Sequence, residues 1–512
     1  MNRSLLHLPP SLPPWIASLL VIVAVGNVFG LFIVGVHTDE SYYWLWSQYP
    51  DWGYYDHPPM AAWMIAAFSS ILGDSKLALR LPAVLAWVSV VWVVFRLSRE
   101  LFPNPTAGWL GALIVMSLPI FQVGFHIVGP DSPLMLFTAL TYYFCWRAAQ
   151  ESSPRYWLLC GAAAGLALLG KFTAVLLPAI IMLALVIDRE HRKQLARPWP
   201  WLAAALAALL FVPVVYWNYR HNWASFAYQW GHGTATHKGF SPYKTADYLV
   251  QQMSATLPWV FIAMAAASVV YRKQFPAIGS RFPALFVTGF WLPLVFFGIT
   301  GSISTSMHNW PVIAYIPGSI LLAGVLTVWI YPREEEQRPR KWVKRLAVVT
   351  VLLAASLVNL ARFPQWVALL PKPEAMAGSS VAWVWGWPQL ADAIRQTEKN
   401  AGLPKDCSIL FVRAFNNGDL GYFHVAGEMA FHLDNADRIL VQRVPHQKQY
   451  NLWQDEKPPK YQSVCMAVAG PAKKPQFTKR IATDEAGSFR LVKQVAIKAP
   501  DISVRHYAIY VR

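Results

Sequence analysis

Charge is what this chain has least of. Asp, Glu, Lys and Arg together make up 14% of its 512 residues, where soluble globular domains carry about 25%. A soluble protein of this length needs a charged surface over its core, so that class is excluded. Cysteine is scarce too, with 4 in all. Cys145 and Cys160 fall in or beside apolar runs and read as small core residues. Cys407 and Cys465 lie in the polar C-terminal part, where they are able to pair if that part faces an oxidising compartment. No spacing suggests a zinc site. Internal repeats are lacking, and no low-complexity tract stands out beyond the charged loop 333–345.

What fills the sequence instead is apolar, at 55% of residues. The first apolar run, 15–36, is too long for a signal-peptide core and lacks a small-residue cleavage site, so it is expected to stay as an anchor. Apolar runs near 15–37, 76–98, 107–125, 131–148, 156–170, 172–188, 200–217, 257–272, 282–300, 311–331 and 343–362 predict about eleven spans. Pro82, Pro178, Pro213, Pro293 and Pro317 are tolerable there, because neighbouring helices satisfy the freed backbone groups. The expected fold class is a polytopic α-helical membrane protein.

The formal charge is +17. Its position argues against nucleic acid, since much of it sits in short loops between spans and reads as a topology signal and an attraction to membrane lipids. With the N-terminus in the cytoplasm, the inside loops hold Arg96 and Arg99; Arg147 and Arg155; Arg189, Arg192, Lys193 and Arg197; Arg272, Lys273 and Arg281; and the run from Arg333 to Arg345. The outside loops are far poorer in Lys and Arg, and the C-terminus falls outside. The same topology, set by the basic loops alone, gathers Asp39, Asp56, Asp131, Lys171 and His308 on the outer face.

From about residue 363 the character changes. A helix is expected over 389–400, ended by Gly402, with strands near 408–412, 439–444, 463–469, 489–497 and 504–511. The reading is therefore a transmembrane domain over 1–362 with a long first outside loop, 38–75. A small extracytoplasmic α/β domain follows over 363–512.

That first loop carries adjacent acids, Asp39-Glu40, and then Tyr55-Asp56-His57 among aromatics. Acids at a membrane face are functional candidates, but Asp39 serves equally well as a helix cap and the aromatics as an interfacial belt. Asp131, after Gly129-Pro130, reads either as a helix cap or as part of a site. Lys171 sits on the outside between two apolar runs, where a Lys needs a partner, and a phosphate would make one. His308-Asn309-Trp310 precedes the tenth run, and a His there touches a ligand or is merely structural. The loop 218–256, with Trp217, Trp223, Trp230 and His232 along it, covers a site or lies on the interface.

The set Asp39-Glu40-Ser-Tyr-Tyr-Trp, Gly53-Tyr-Tyr-Asp56-His57-Pro-Pro, Gly129-Pro-Asp131-Ser-Pro-Leu, Gly170-Lys171-Phe-Thr-Ala and Asn309-Trp-Pro resembles the bacterial branch of the protein O-mannosyltransferase family, which includes the lipid A aminoarabinose transferases. The likeness covers the membrane half. In the C-terminal part it rests on Arg413 and on Gln449-Tyr450-Asn451-Leu452-Trp453. It implies a C-type glycosyltransferase fold in a bacterial inner membrane. It also implies inverting transfer from a polyprenyl-phosphate-linked sugar to a lipid, glycan, glycolipid or protein acceptor.

On that resemblance Asp39 is the base. Lys171, with His308, holds the departing phosphate, and Glu40, Asp56, His57 and Asp131 orient sugar and acceptor. Tyr55, Asn309, Trp310 and Arg413 complete the binding set. Some relatives bind a divalent cation through acidic residues of these loops, and Asp39 and Asp131 are the positions that would do so here. Many relatives carry Lys-Tyr where this chain has Lys171-Phe172, so a hydroxyl contact is missing. The competing readings are a transporter or flippase of lipid-linked sugars, a transferase of whole oligosaccharides or polymers, and a sugar-binding C-terminal domain on a membrane anchor. A transporter calls for midplane polar sites and repeats, and the sequence has neither.

Overall fold

A computed structural model of the chain describes residues 12–234, 239–274, 281–304, 306–331, 341–362, 386–404, 407–412, 422–441, 449, 453, 464–472, 490–499 and 502–511. Helices occupy all the predicted apolar runs. They begin with α1 (Pro14–Ile33), α2 (Thr38–Gln48), α3 (Met60–Leu72) and α4 (Lys76–Leu101). Next come α5 (Thr106–Ser117), α6 (Pro119–Gly124), α7 (Asp131–Glu151), α8 (Pro154–Gly170), α9 (Leu176–Ile187) and α10 (Pro198–Arg220). The membrane part closes with α11 (Ala224–Thr234), α12 (Pro242–Thr256), α13 (Pro258–Gln274), α14 (Ala284–Ile303), α15 (Tyr315–Ile330) and α16 (Lys341–Arg362).

Six of the described helical segments are long and apolar enough to cross a bilayer, and a seventh forms if α12 and α13, bent by 96°, are taken together. This is a multi-pass membrane protein. Its lipid-facing surfaces show in the exposed Val21, Val25 and Phe29 of α1 and Leu209 and Val212 of α10. The bundle's own core includes Val94, Leu97, Tyr142, Trp157, Phe286, Phe290 and Tyr315.

The C-terminal part adds α17 (Trp387–Ala401), α18 (Tyr422–His432) and five strands: β1 (Ser408–Val412), β2 (Ile439–Val441), β3 (Val464–Ala472), β4 (Arg490–Ala499) and β5 (Ile502–Val511). The sheet order is β2-β1-β3-β5-β4. β1 runs parallel to β2 and β3, and β5 is antiparallel to β3 and β4. Gly402, at φ 61°, ends α17 in the left-handed conformation that suits glycine. Cys407 and Cys465 form a disulfide that ties the start of β1 to β3, with their Cα atoms 5.8 Å apart.

A strand is present at each predicted position, β1 with the expected bounds, whereas α18 was not foreseen. It carries a Gly at its centre and has no strong helical signature of its own. Its burial comes from an unexpected partner, the loop helix α2. Tyr42, Trp44 and Trp46 of α2 share one core with Trp387, Ile394, Val425, Met429, Phe411 and Tyr507. The C-terminal part therefore does not hang from the bundle but closes over α2, in the loop between the first and second apolar runs. Each large side chain buried there contributes about 1.5–3 kcal/mol.

Candidate active site

The adjacent acids part company as soon as helix geometry applies, since neighbouring residues on a helix point about 100° apart. His37 caps α2: its Nδ1 accepts from the Asp39 backbone N–H at 3.1 Å, and its own N–H donates to Glu40 Oε2 at 2.8 Å. Glu40 is thereby turned inward and is 0% exposed. Arg80 of α4 meets it in a fork, Nε to Oε1 at 3.0 Å and Nη2 to Oε2 at 2.8 Å. The same guanidinium donates to the carbonyls of Leu31, Val34 and Gly35, tying off the end of α1. Glu40 was expected to orient sugar and acceptor. Both of its oxygens are instead engaged in the scaffold, so it positions α2 and does not face a ligand.

Asp39, one residue earlier, is turned outward, with its side chain 40% exposed. Four residues on, Tyr43 is buried under Trp46, their ring centroids 5.0 Å apart at 86°. Burial raises the Tyr43 pKa well above the usual tyrosine value, and Asp39, Asp56, Asp131 and then Tyr228 push it the same way. Tyr43 therefore lies within electrostatic reach of carboxylates from three separate elements. Tyr43 itself was not singled out in the sequence. Its signal was faint, a Tyr one turn after an acid on a helix rich in aromatics.

Asp56 accepts from the Tyr42 hydroxyl at 2.8 Å, and Gln229 of α11 donates to its backbone carbonyl at 2.7 Å. Tyr55 stacks obliquely on Tyr228, centroids 5.0 Å apart, and its N–H donates to Gln449 Oε1 at 2.6 Å. Burial and then Asp56 push the Tyr55 pKa up to about 12. The loop after α10 thus covers this site and does not merely lie on the interface. Gln449 belongs to the C-terminal motif, so both halves of the chain meet here, and Trp453 of the same motif lies 5.2 Å from Tyr49. His57 sits in the connecting turn, its carbonyl accepting from Tyr54 N–H at 3.1 Å and its ring 6.2 Å from that of Tyr43.

The second cluster centres on Asp131, the first residue of α7. It does not cap that helix. Its Oδ1 accepts from Lys171 Nζ at 2.8 Å and its Oδ2 from Asn309 Nδ2 at 2.7 Å. Lys171 follows the last residue of α8, and Gly170 permits the approach: a Cβ there would lie 2.8 Å from the Leu134 backbone nitrogen. The expected lone cation therefore has a carboxylate partner. The pair lies within electrostatic reach of His308, which is exposed as a residue although its ring is crowded by protein. That crowding lowers its pKa below the usual histidine value, Asp131 raises it and Lys171 lowers it further. Trp310 packs on Phe297, centroids 5.6 Å apart. Arg413 lies outside the described residues.

The donor set does not favour a metal. Both Asp131 oxygens already accept from side chains, and among the described residues no three His, Cys, Asp or Glu gather as ligands.

Residues 56–217 match the dolichyl-phosphate-mannose-protein mannosyltransferase family. The chain is 26% identical over 344 residues to a lipid A galacturonosyltransferase from Rhizobium johnstonii, covering 66% of this chain and 68% of that one. It is 26% identical to an undecaprenyl phosphate-α-4-amino-4-deoxy-L-arabinose arabinosyl transferase from Pseudomonas fluorescens, over 60% of this chain and 54% of the relative. In structure it resembles ArnT from Cupriavidus metallidurans, solved with undecaprenyl phosphate bound, at a TM-score of 0.61 and 15% identity over 97% of this chain and 98% of that one. That likeness speaks to the fold. Taken with the sequence relatives, it makes the chain a membrane glycosyltransferase of the C-type fold, similar to the bacterial protein O-mannosyltransferases and the lipid A aminoarabinose transferases.

Proposed function

We propose that the protein transfers a sugar, with inversion, from a polyprenyl-phosphate donor to an acceptor hydroxyl on the outer face of a bacterial inner membrane. The observation that carries this reading is Lys171, buried with its Nζ 2.8 Å from Asp131 Oδ1 at the head of α7, while Asn309 donates to the second Asp131 oxygen at 2.7 Å. Asp39 takes the proton of the acceptor hydroxyl as its oxygen attacks the anomeric carbon. The bond from that carbon to the phosphate oxygen breaks, and the electron pair leaves with the polyprenyl phosphate. The leaving group needs no strong acid, only a donor to hold its charge. Lys171 supplies that donor, its ammonium reaching from Asp131 to the phosphate. Asp56, Tyr55 and His57 orient the sugar, and Asn309 keeps Asp131 in place.

The same reading assigns about eleven spans, with a membrane domain over 1–362 and an extracytoplasmic domain over 363–512. The basic inner loops support that orientation. So does the Cys407–Cys465 disulfide, which belongs in an oxidising compartment. The lipid A and core transferases among the relatives favour a saccharolipid acceptor. The test is purified protein in nanodiscs with a polyprenyl-phosphate-linked sugar and candidate acceptors, the product read by mass spectrometry. Polyprenyl phosphate released without any glycosylated product, across all acceptors, overturns the transfer reading.

Lys171→Ala is expected to lower kcat by about 10²-fold, the range for one lost oxyanion donor, and to raise the KM for the lipid-phosphate donor. The acceptor KM should change little. Equal shifts in both would remove the phosphate role. Gly170→Ala is expected to act in the same direction but more weakly, because the added methyl group pushes α8 off α7 and separates Lys171 from Asp131.

A further inference from the structure

The turn that carries Asp56 is fixed first at its foot. Tyr54 is 0% exposed and stacks on Trp46 with ring centroids 4.3 Å apart, its hydroxyl 3.0 Å from the carbonyls of Trp46 and of Tyr49. Trp217 of α10 donates from Nε1 to Asp51 Oδ2 at 2.8 Å. A Cβ at Gly53 would lie 2.9 Å from the Trp217 ring, so only glycine lets the loop press this close. Tyr54 N–H then closes onto the His57 carbonyl at 3.1 Å. Tyr55 and Asp56 are left at the tip, where backbone N–H and C=O groups need partners from elsewhere.

Two glutamines supply those partners. Gln229 of α11, 173 positions along the chain, donates from Nε2 to the Asp56 carbonyl at 2.7 Å. Gln449, 394 positions from Tyr55 and itself buried, accepts the Tyr55 N–H on Oε1 at 2.6 Å. Each glutamine uses a different half of its amide. The Tyr42 hydroxyl holds Asp56 Oδ2 at 2.8 Å, so the carboxylate points where that backbone lets it.

Gln229 is placed in turn by a strained joint. Between α10 and α11, Asn222 and Trp223 take φ 51° and 58°, left-handed values that non-glycine residues avoid. Asn218, 0% exposed, holds the joint together. Its Oδ1 accepts from the N–H groups of Ser225 and Phe226, both at 3.1 Å, and its Nδ2 donates to the Val214 carbonyl at 3.0 Å. Strain of this kind persists where the surroundings enforce it, and it gathers at functional sites. Here it turns α11 back over the loop, so that Tyr228 packs on Tyr55 and Gln229 reaches Asp56.

We propose that Gln229 and Gln449 are positioning residues for sugar transfer, which suspend the Tyr55-Asp56 backbone between two distant parts of the chain and so aim the Asp56 carboxylate at the donor's sugar. The proposal rests on the transferase reading above. The test exchanges each glutamine for methionine, which keeps the length and loses the amide, and then for a residue that keeps only the half in use. All variants are full-length protein in nanodiscs.

Gln229→Met and Gln449→Met are each expected to lower kcat about tenfold, within what a small misplacement of an active-site group costs. Affinity for the sugar-bearing donor should fall severalfold, while sugar-free polyprenyl phosphate binds as in wild type and the melting temperature holds. Gln229→Lys, which still donates, and Gln449→Glu, which still accepts, should recover most of the loss. Gln229→Glu and Gln449→Lys should not. Wild-type kcat in either methionine variant overturns the proposal, as does an equal loss of sugar-free polyprenyl phosphate binding, or recovery by Lys and Glu alike at one position. Gln229 is half-buried on a covering helix, so its series decides the outcome even if Gln449→Met fails to fold. The comparison of the two lipids needs no turnover. A wild-type protein that forms no glycosylated product would therefore sink the transferase reading separately.

Discussion

Asp39→Asn is expected to lower sugar transfer by at least about 10²–10⁴-fold, the range a positioned general base supplies, while the melting temperature and donor affinity stay at wild-type values. The amide keeps the size of the carboxylate and removes only its ability to take a proton. Asp39 is outward-facing, with its side chain 40% exposed and its Oδ2 3.8 Å from His37 Nδ1, a spacing that an amide of the same size keeps. The measurement is single-turnover transfer in nanodiscs, with polyprenyl-phosphate binding followed in parallel. A variant that transfers at full rate would move the base elsewhere, with Asp56 next in line. One that no longer binds donor would show Asp39 acting in binding rather than in proton transfer.

Arg80→Ala is expected to cost about 3–5 kcal/mol of stability, the range for removing one partner of a buried ion pair. Arg80 is 0% exposed and its guanidinium serves Glu40 and three carbonyls of the α1 end at once. Without it, Glu40 is left charged in a dry interior and the last turn of α1 loses its donors. Thermal unfolding of the purified protein should fall sharply, and expression with it. The paired change Glu40→Met with Arg80→Met should recover much of the loss, because no lone charge then remains. Unfolding of Arg80→Ala at the wild-type temperature would mean that water reaches Glu40 and that the pair is not buried in the membrane-bound protein. Together the two experiments separate neighbouring acids, with Asp39 altering rate at constant stability and Glu40–Arg80 altering stability first.

The sequence could not make that separation. Asp39-Glu40 reads as one acidic pair, because which acid faces inward depends on the His37 cap and on Arg80, forty positions away. The apolar helices were legible because apolar length is a one-dimensional property, although six or seven of them, not eleven, are long enough to cross a bilayer among the described residues. The strands were legible because short β-branched runs between turn residues are too. The candidate residues Asp56, Asp131 and Lys171 were legible as polar groups where lipid or interface should be.

Their partners were not legible. Lys171 looked like an unpaired cation awaiting a phosphate, and the carboxylate that holds it lies forty residues upstream and meets it only where α7 and α8 cross at Gly170. Tyr43 escaped notice for a related reason. Its environment is assembled from Asp39, Asp56, Asp131 and Tyr228, none of which is adjacent to it in sequence. The helix α18 was hidden because its burial comes from α2 rather than from any periodicity of its own.

The core shared by α2 and the C-terminal part also carries a consequence for biosynthesis. Tyr42, Trp44 and Trp46 emerge in the first tenth of the chain, but Trp387, Val425, Met429 and Tyr507, which cover them, are made in the last quarter. During translation the helix bearing Asp39 must wait, with its aromatics uncovered, until the final strand has been made and has paired. Competence for transfer therefore arrives late and all at once, so a stalled or prematurely terminated chain would be inserted yet inert and would not release sugar from its donor.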